Sequence, residues 1–248
     1  MSGATQPRVA LVTGAAGTMG EATARRLVAD GYRVALADIS AQRIQALEAA
    51  LDGAARAIPG DLSDAKQIER IVADAEGALG PIDILVNNAG ILSNHKSADT
   101  TLAEWRRVLA INLDAAFMLS RRVLPGMKER RFGRIVNVCS LAMKSGGLTA
   151  GTAYTTSKGA VAALTFSLAR ESAPFGVTVN AISPAYVKTP MVTEQLTEAQ
   201  RQALLAQIPV GRFCEPEEFA HCVAFLISPL SGFITGEVLD LNGGLHFD

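Results

Sequence analysis

Seven short apolar, β-branched runs alternate with longer helical patterns along nearly all of the 248 residues. Strands are expected at Val9–Thr13, Arg33–Asp38, Ala55–Ile58, Ile82–Asn87, Arg134–Cys139, Val177–Ile182 and Glu237–Leu241. Helices are expected near Met19–Ala29, Ala41–Leu51, Ala65–Leu79, Leu102–Lys128, Ala153–Ala173 and Pro216–Ile227. Strands that are apolar throughout are buried on both faces, and strands joined through helices run parallel with right-handed crossovers. Pro125 falls inside the fourth helical segment and predicts a kink or break there.

The expected fold class is therefore α/β: a single-domain, Rossmann-like, doubly wound parallel sheet of about seven strands with helices on both faces. No repeat, low-complexity linker or composition shift marks a second domain, so residues 1–248 read as one unit. A polar helical insertion around 188–213, most marked from Met191, interrupts the rhythm before the last strand. An insertion at the carboxyl end of a strand lies over the ligand crevice, so it reads as a substrate lid.

Apolar residues make up 49% of the chain, enough for a large core, and the formal net charge is −1. That balance gives no strong attraction to nucleic acid or to an anionic membrane. The Lys128–Arg134 basic cluster reads as a solvated helix end. Three cysteines, Cys139, Cys214 and Cys222, show no C-x-x-C spacing. A sparse, odd count fits a reducing compartment and argues against a disulfide framework or a metal site. Met1–Gln6 is short and polar, the apolar run behind it is too short for a signal peptide, and no stretch reaches membrane-span length. The expected location is cytoplasmic.

Thr13-Gly14-Ala15-Ala16-Gly17-Thr18-Met19-Gly20 joins the first strand to the first helix. Glycines there permit a tight turn and close approach to a pyrophosphate, and the helix N-terminus supplies N–H donors and a favourable dipole. Asp38 ends the second strand, where a carboxylate can accept bonds from ribose hydroxyls and repel a 2′-phosphate. With no Lys or Arg at Ala15, Ala16 or Gly17, the expectation is NAD in preference to NADP. The competing reading of Asp38 is a helix cap, a job for which Ser40 is better placed.

Tyr154 and Lys158 stand four residues apart in a helical segment, hence on one face. An ammonium near a phenol favours the tyrosinate, so Lys158 is expected to depress the Tyr154 pKa and make it a general base or acid.

Together these features resemble the short-chain dehydrogenase/reductase family from Val9 to Gly244. The matches are Thr13-Gly14…Gly20, Asn87-Asn88-Ala89-Gly90, Asn112, Ser140, Tyr154, Lys158, Asp61-Leu62 and Pro184…Thr189. The resemblance implies that Gly14, Thr18 and Met19, with Gly17 and Gly20, line the pyrophosphate. It implies Asp61 and Leu62 beside the adenine, Asn88, Ala89 and Gly90 beside the ribose, and Pro184, Val187 and Thr189 at the nicotinamide. Tyr154 would exchange the proton, Lys158 would also hold the nicotinamide ribose, Ser140 would bond the substrate oxygen, and Asn112 would hold a water in a proton relay. Family members are commonly homotetramers.

Three departures stand out. Thr18 occupies the usual place of the middle glycine, Ser140 precedes Tyr154 by one residue more than usual, and Ala185 replaces a glycine after Pro184. Candidate substrate contacts are His95, Lys144, Leu148, Tyr186, Met191 and Gln195. Leu92, Ala142 and Gly151 stand where short-hydroxy-acid enzymes carry polar groups, which counts against such a substrate. The first expectation is an NAD(H)-dependent oxidoreductase interconverting a secondary alcohol or polyol and a ketone. The alternative is a 3-oxoacyl-thioester reductase acting on acyl carrier protein or coenzyme A with NADPH, to which the Lys128–Arg134 cluster could dock an acidic carrier. A non-catalytic dinucleotide-binding regulator and an extended-family epimerase are disfavoured.

Overall fold

The structure is a computed structural model that describes residues 7–190 and 197–247. Met1–Gln6, Met191 and Gln195 lie outside the described residues, as does part of the expected lid.

Seven strands form one parallel sheet in the order β3-β2-β1-β4-β5-β6-β7. They are β1 Val9–Thr13, β2 Arg33–Asp38, β3 Ala55–Pro59, β4 Ile82–Asn87, β5 Gly133–Val138, β6 Val177–Pro184 and β7 Val238–Leu241. The described helices are α1 Thr18–Ala29, α2 Ala41–Ala50, α3 Ala65–Leu79, α4 Leu102–Leu109, α5 Ala115–Glu129, α6 Ala142–Ser145, α7 Thr152–Ser172, α8 Glu198–Leu205 and α9 Pro216–Ile227. The expected fold class is observed.

Every residue of β1, β5 and β6 is buried, which is why these strands are rich in apolar, β-branched residues. One face packs α3, α5 and α7 through Ile71, Leu119 and Leu168. The other packs α1, α2 and α9 through Leu27, Ile44 and Phe219. Burying each such side chain stabilises the fold by about 1.5–3 kcal/mol. Helix ends follow local chemistry. Asp64 accepts from Lys66 N–H at the start of α3, whose end is Gly80 at φ 91°. Thr101 caps α4, and Glu215 with Glu218 forms a capping box on α9.

The chain runs outward from β1 to β3 and then returns to β4 on the other side of β1. The carboxyl ends of β1 and β4 therefore diverge, and the crevice opens there.

The fourth helical segment differs from expectation. Its irregularity is not at Pro125 but at Ala110–Asp114, a wide π-type turn joining α4 to α5. Pro125 sits on the exposed side of α5, where the carbonyl left without a donor meets water, so the helix continues. The wide turn carries Asn112, whose inward-facing side chain explains it (below).

Candidate active site

The glycine turn is built by contacts that exclude side chains. Gly14 has φ +64°, and a Cβ there would stand 2.9 Å from both Ala89 Cα and Asn88 Nδ2. A Cβ on Gly20 would lie 2.1 Å from the Gly14 carbonyl oxygen, so only glycine lets α1 start this close to the turn. Gly17 is the N-cap of α1 and provides no side-chain cap, and Thr18 and Met19 open the helix. The Thr13 hydroxyl accepts from Asn88 N–H at 3.0 Å and Ala89 N–H at 3.1 Å. Asn88 Nδ2 donates to the carbonyls of Thr13 and Gly14. These bonds lock the Asn88–Gly90 loop to the glycine turn.

An uncapped helix end, a cradle too tight for Cβ atoms and a buried, unpartnered Asn88 Oδ1 fit the pyrophosphate and ribose of a nicotinamide dinucleotide. Of the residues expected beside the adenine, Asp61 Oδ1 accepts from Ser63 N–H at 2.8 Å, while Leu62 is buried in the core cluster beside α3. Pro184–Thr189 is fixed by Leu141 N–H to the Pro184 carbonyl and by pairing of Val187 with Cys214.

Asp38 has both oxygens engaged by backbone. Oδ2 accepts from Ala16 N–H at 3.1 Å and Oδ1 from Ser40 N–H at 2.9 Å. The carboxylate thus braces the glycine turn against the start of α2, close to the capping role set against its ribose role.

Asn112 is buried and bonded three ways. Its Oδ1 accepts from Ile91 N–H at 2.8 Å, and its Nδ2 donates to the Ile91 carbonyl at 3.1 Å and the Ser157 hydroxyl at 3.0 Å. It joins the wide turn, the Asn88–Gly90 loop and α7. Gly90 lies against both Asn112 and Lys158; a Cβ on it would be 3.3 Å from Asn112 Oδ1 and 3.4 Å from Lys158 Nζ.

Ser140 follows β5, and Tyr154 and Lys158 lie in the first two turns of α7. The three line one crevice of about 330 Å³. The Ser140 hydroxyl stands beside the Tyr154 phenol, where it favours the ionised form. Lys158 is only 3% exposed; its Nζ donates to the Val138 carbonyl at 2.7 Å and stands 5.7 Å from the Tyr154 ring centroid. Burial lowers its pKa to about 8.

The expected depression of the Tyr154 pKa is not observed. Burial raises it, the Ser140 hydrogen bond opposes the rise, and Cys139 adds to it. Desolvation is the largest of these effects, and the Lys158 ammonium is aimed at the Val138 carbonyl. The phenol therefore keeps its proton at neutral pH. Cys139, pushed up to about 11 by burial, stays a thiol.

The crevice walls are mainly apolar: Ile91, Leu92, Leu141, Leu148, Tyr186 and Leu245. Gln207 and His246 also line it. Of the expected substrate contacts, Leu148 and Tyr186 are there. Lys144 instead pairs with Asp240 at 2.7 Å, and exposed His95 bonds Glu104 at 2.8 Å. Leu245 and His246 belong to a C-terminal tail expected to reach a neighbouring subunit's pocket or to cover an interface; here they line the crevice of their own chain. The Lys128–Arg134 cluster runs from the end of α5 into the start of β5, at the opposite end of the sheet from the crevice of the same chain. There Lys128 pairs with Glu171, Arg130 with Asp83, and Arg134 is buried.

Comparison with known proteins agrees with this geometry. A family model described as enoyl-(acyl carrier protein) reductase matches residues 14–246. The chain is 40% identical to nodulation protein G of Azospirillum brasilense over 97% of this chain and 98% of that protein. It is 40% identical to the 3-oxoacyl-(acyl-carrier-protein) reductase FabG of Vibrio cholerae, over 96% and 97%. It is 39% identical to acetoacetyl-CoA reductase of Rhizobium meliloti, over 97% and 99%.

The chain belongs to the short-chain dehydrogenase/reductase family. It is an oxidoreductase acting on CH–OH groups with a nicotinamide dinucleotide, NAD(P). The preference for NAD read from Asp38 is overturned, because reductases of the FabG and acetoacetyl-CoA type are NADPH-dependent. Among the described residues no helix is long and apolar enough to cross a membrane.

Proposed function

We propose that this protein reduces the 3-oxo group of an acyl thioester, carried on acyl carrier protein or coenzyme A, with NADPH. The observation that carries this reading is the mainly apolar crevice, walled by Ile91, Leu141 and Leu148, into which Ser140 and Tyr154 both open. The relatives support the thioester reading over a polyol or simple secondary-alcohol dehydrogenase.

The dinucleotide supplies the hydride. Gly14, Gly17, Thr18, Met19 and Gly20 would hold its pyrophosphate, Asp61 and Leu62 the adenine side, and Asn88, Ala89 and Gly90 a ribose. Pro184, Val187 and Thr189 would meet the nicotinamide. As negative charge develops on the 3-oxo oxygen, Ser140 donates a hydrogen bond to it and Tyr154 delivers the proton from its Oη. Lys158, assigned to the nicotinamide ribose, lies beside Gly90 and Asn112 and is placed to return a proton to Tyr154. Ile91, Leu141 and Leu148 exclude water and receive the acyl chain. The described part of the 188–213 segment brings Thr189 and Gln207 to the crevice wall, where they would meet the acyl group.

A cytoplasmic location is part of the proposal, supported by three free cysteines. So is a homotetramer, supported by Phe117 on α5, Phe166 on α7, and Leu230 and Phe233 beyond α9, all exposed on one chain.

The test is turnover of acetoacetyl-CoA, secondary alcohols and polyols, each with NADPH or NADH (NADP or NAD for oxidation), followed by nicotinamide absorbance. NADPH oxidation with acetoacetyl-CoA is the expected result. Turnover confined to alcohols or polyols would contradict the reading.

A further inference from the structure

We propose that Lys96 is a positioning residue that clamps the loop between Ser140 and Tyr154 and so sets the acyl-binding wall of the crevice. The inference rests on the roles proposed above for Ser140 and Tyr154.

That loop has reason to be loose. It is one residue longer than the family's usual spacing, and Gly146 and Gly147 follow one another at φ +70° and +72°. Its next residues, Leu148, Thr149 and Ala150, line the crevice, yet Leu148 is 77% exposed and lends the loop little packing of its own. A segment with two adjacent left-handed glycines opens readily unless something else holds it.

Lys96 holds it. Its Nζ donates to the carbonyl of Gly147 at 2.6 Å and to that of Ala150 at 2.7 Å. These two acceptors flank Leu148 and Thr149, so one ammonium fixes both ends of the wall with charge-assisted bonds. A lysine free to wander in solvent has no reason to bridge two carbonyls of one loop, since fixing its stem costs rotamer entropy.

The same short segment also docks the start of α7. Gly151 N–H donates to the Ser93 carbonyl at 2.6 Å and Thr152 N–H to the His95 carbonyl at 3.0 Å. Both donors belong to the turn that launches Tyr154. The approach is too close for a side chain; a Cβ on Gly151 would be 2.4 Å from the His95 oxygen.

The clamp has a firm base. The Ser93 hydroxyl bonds Glu104 Oε1 at 2.6 Å and His95 Nδ1 bonds Glu104 Oε2 at 2.8 Å. Glu104 sits in the first turn of α4, its N–H donating to the Thr101 hydroxyl. Force on the wall thus passes from Lys96 into α4 rather than into another loop.

The experiment compares Lys96→Met, which keeps the stem, and Lys96→Arg, which keeps the charge, with the wild type. Hydrogen exchange is read over residues 146–152, and kcat and KM on whichever substrate the wild type turns over best. Lys96→Met should speed exchange in that segment alone. It should lower kcat/KM roughly ten- to a hundredfold, mostly through KM, with NADPH affinity and Tm essentially unchanged. Lys96→Arg should recover most of both. Unchanged exchange in Lys96→Met overturns the clamp, and so does a loss shared equally by substrate use, NADPH affinity and Tm. Because exchange needs no substrate, wild-type inactivity on acetoacetyl-CoA would count against the thioester reading alone.

Discussion

The Lys158 ammonium donates to the Val138 carbonyl at 2.7 Å, from a position almost without solvent. This bond ties α7 to the end of β5, and with it Tyr154 to Ser140. It also places a charge where water cannot reach it. Burial brings the Lys158 pKa from 10.5 to about 8, so the charged form is held at a cost.

That cost has a sign that can be measured. Below pH 8 Lys158 is protonated both folded and unfolded, and the penalty is present in full. Between pH 8 and 10.5 the unfolded chain binds the proton more strongly, so stability rises with pH; above 10.5 the penalty is gone. Lys158→Met should therefore be more stable than wild type at pH 7 by about 1–3 kcal/mol. Its advantage should shrink through the pH 8–10.5 window, and it should be inactive. Denaturant unfolding across that range checks it; an advantage that grows with pH sinks the argument.

Asp38 accepts one bond from the glycine turn and one from the start of α2. Asp38→Ala leaves both N–H groups unpaired and should cost about 1–3 kcal/mol of stability. Asp38→Asn, which keeps one acceptor oxygen, should cost less. Equal stability of all three proteins would show that the brace is idle.

Gly20→Ala tests the cradle. The added Cβ falls 2.1 Å from the Gly14 carbonyl oxygen, backbone that cannot yield without opening the turn. NADPH binding, followed by nicotinamide fluorescence, should weaken by roughly tenfold or more, about 1.4 kcal/mol. Unchanged binding would remove the turn from the dinucleotide site.

The sheet was readable because its central strands are buried on both faces, so Val9–Thr13 and Val177–Ile182 announce themselves without knowledge of their neighbours. The wide turn at Ala110–Asp114 was not, because its cause is the bonding of Asn112 to Ile91 and Ser157, which only the folded chain brings together. The same holds for α6, a single turn, and for the Leu245 and His246 contribution to the crevice. Tyr154 and Lys158 were legible as a pair by spacing, but not the balance of burial against charge that raises one pKa and lowers the other. Asp38 was legible as a residue at the right place; that its oxygens face backbone donors depends on the loop around Ala16. Lys96 offered no pattern, since its two acceptors lie about fifty residues along the chain.

The central claim is that the Tyr154 phenol delivers the proton to a thioester's 3-oxo oxygen. The most direct measurement is kcat/KM for acetoacetyl-CoA with NADPH in wild type and Tyr154→Phe, with NADPH affinity read on both. The account predicts a loss of about 10²-fold or more with NADPH affinity within about twofold, well under 1 kcal/mol. A Phe variant that keeps most of the wild-type rate would contradict it.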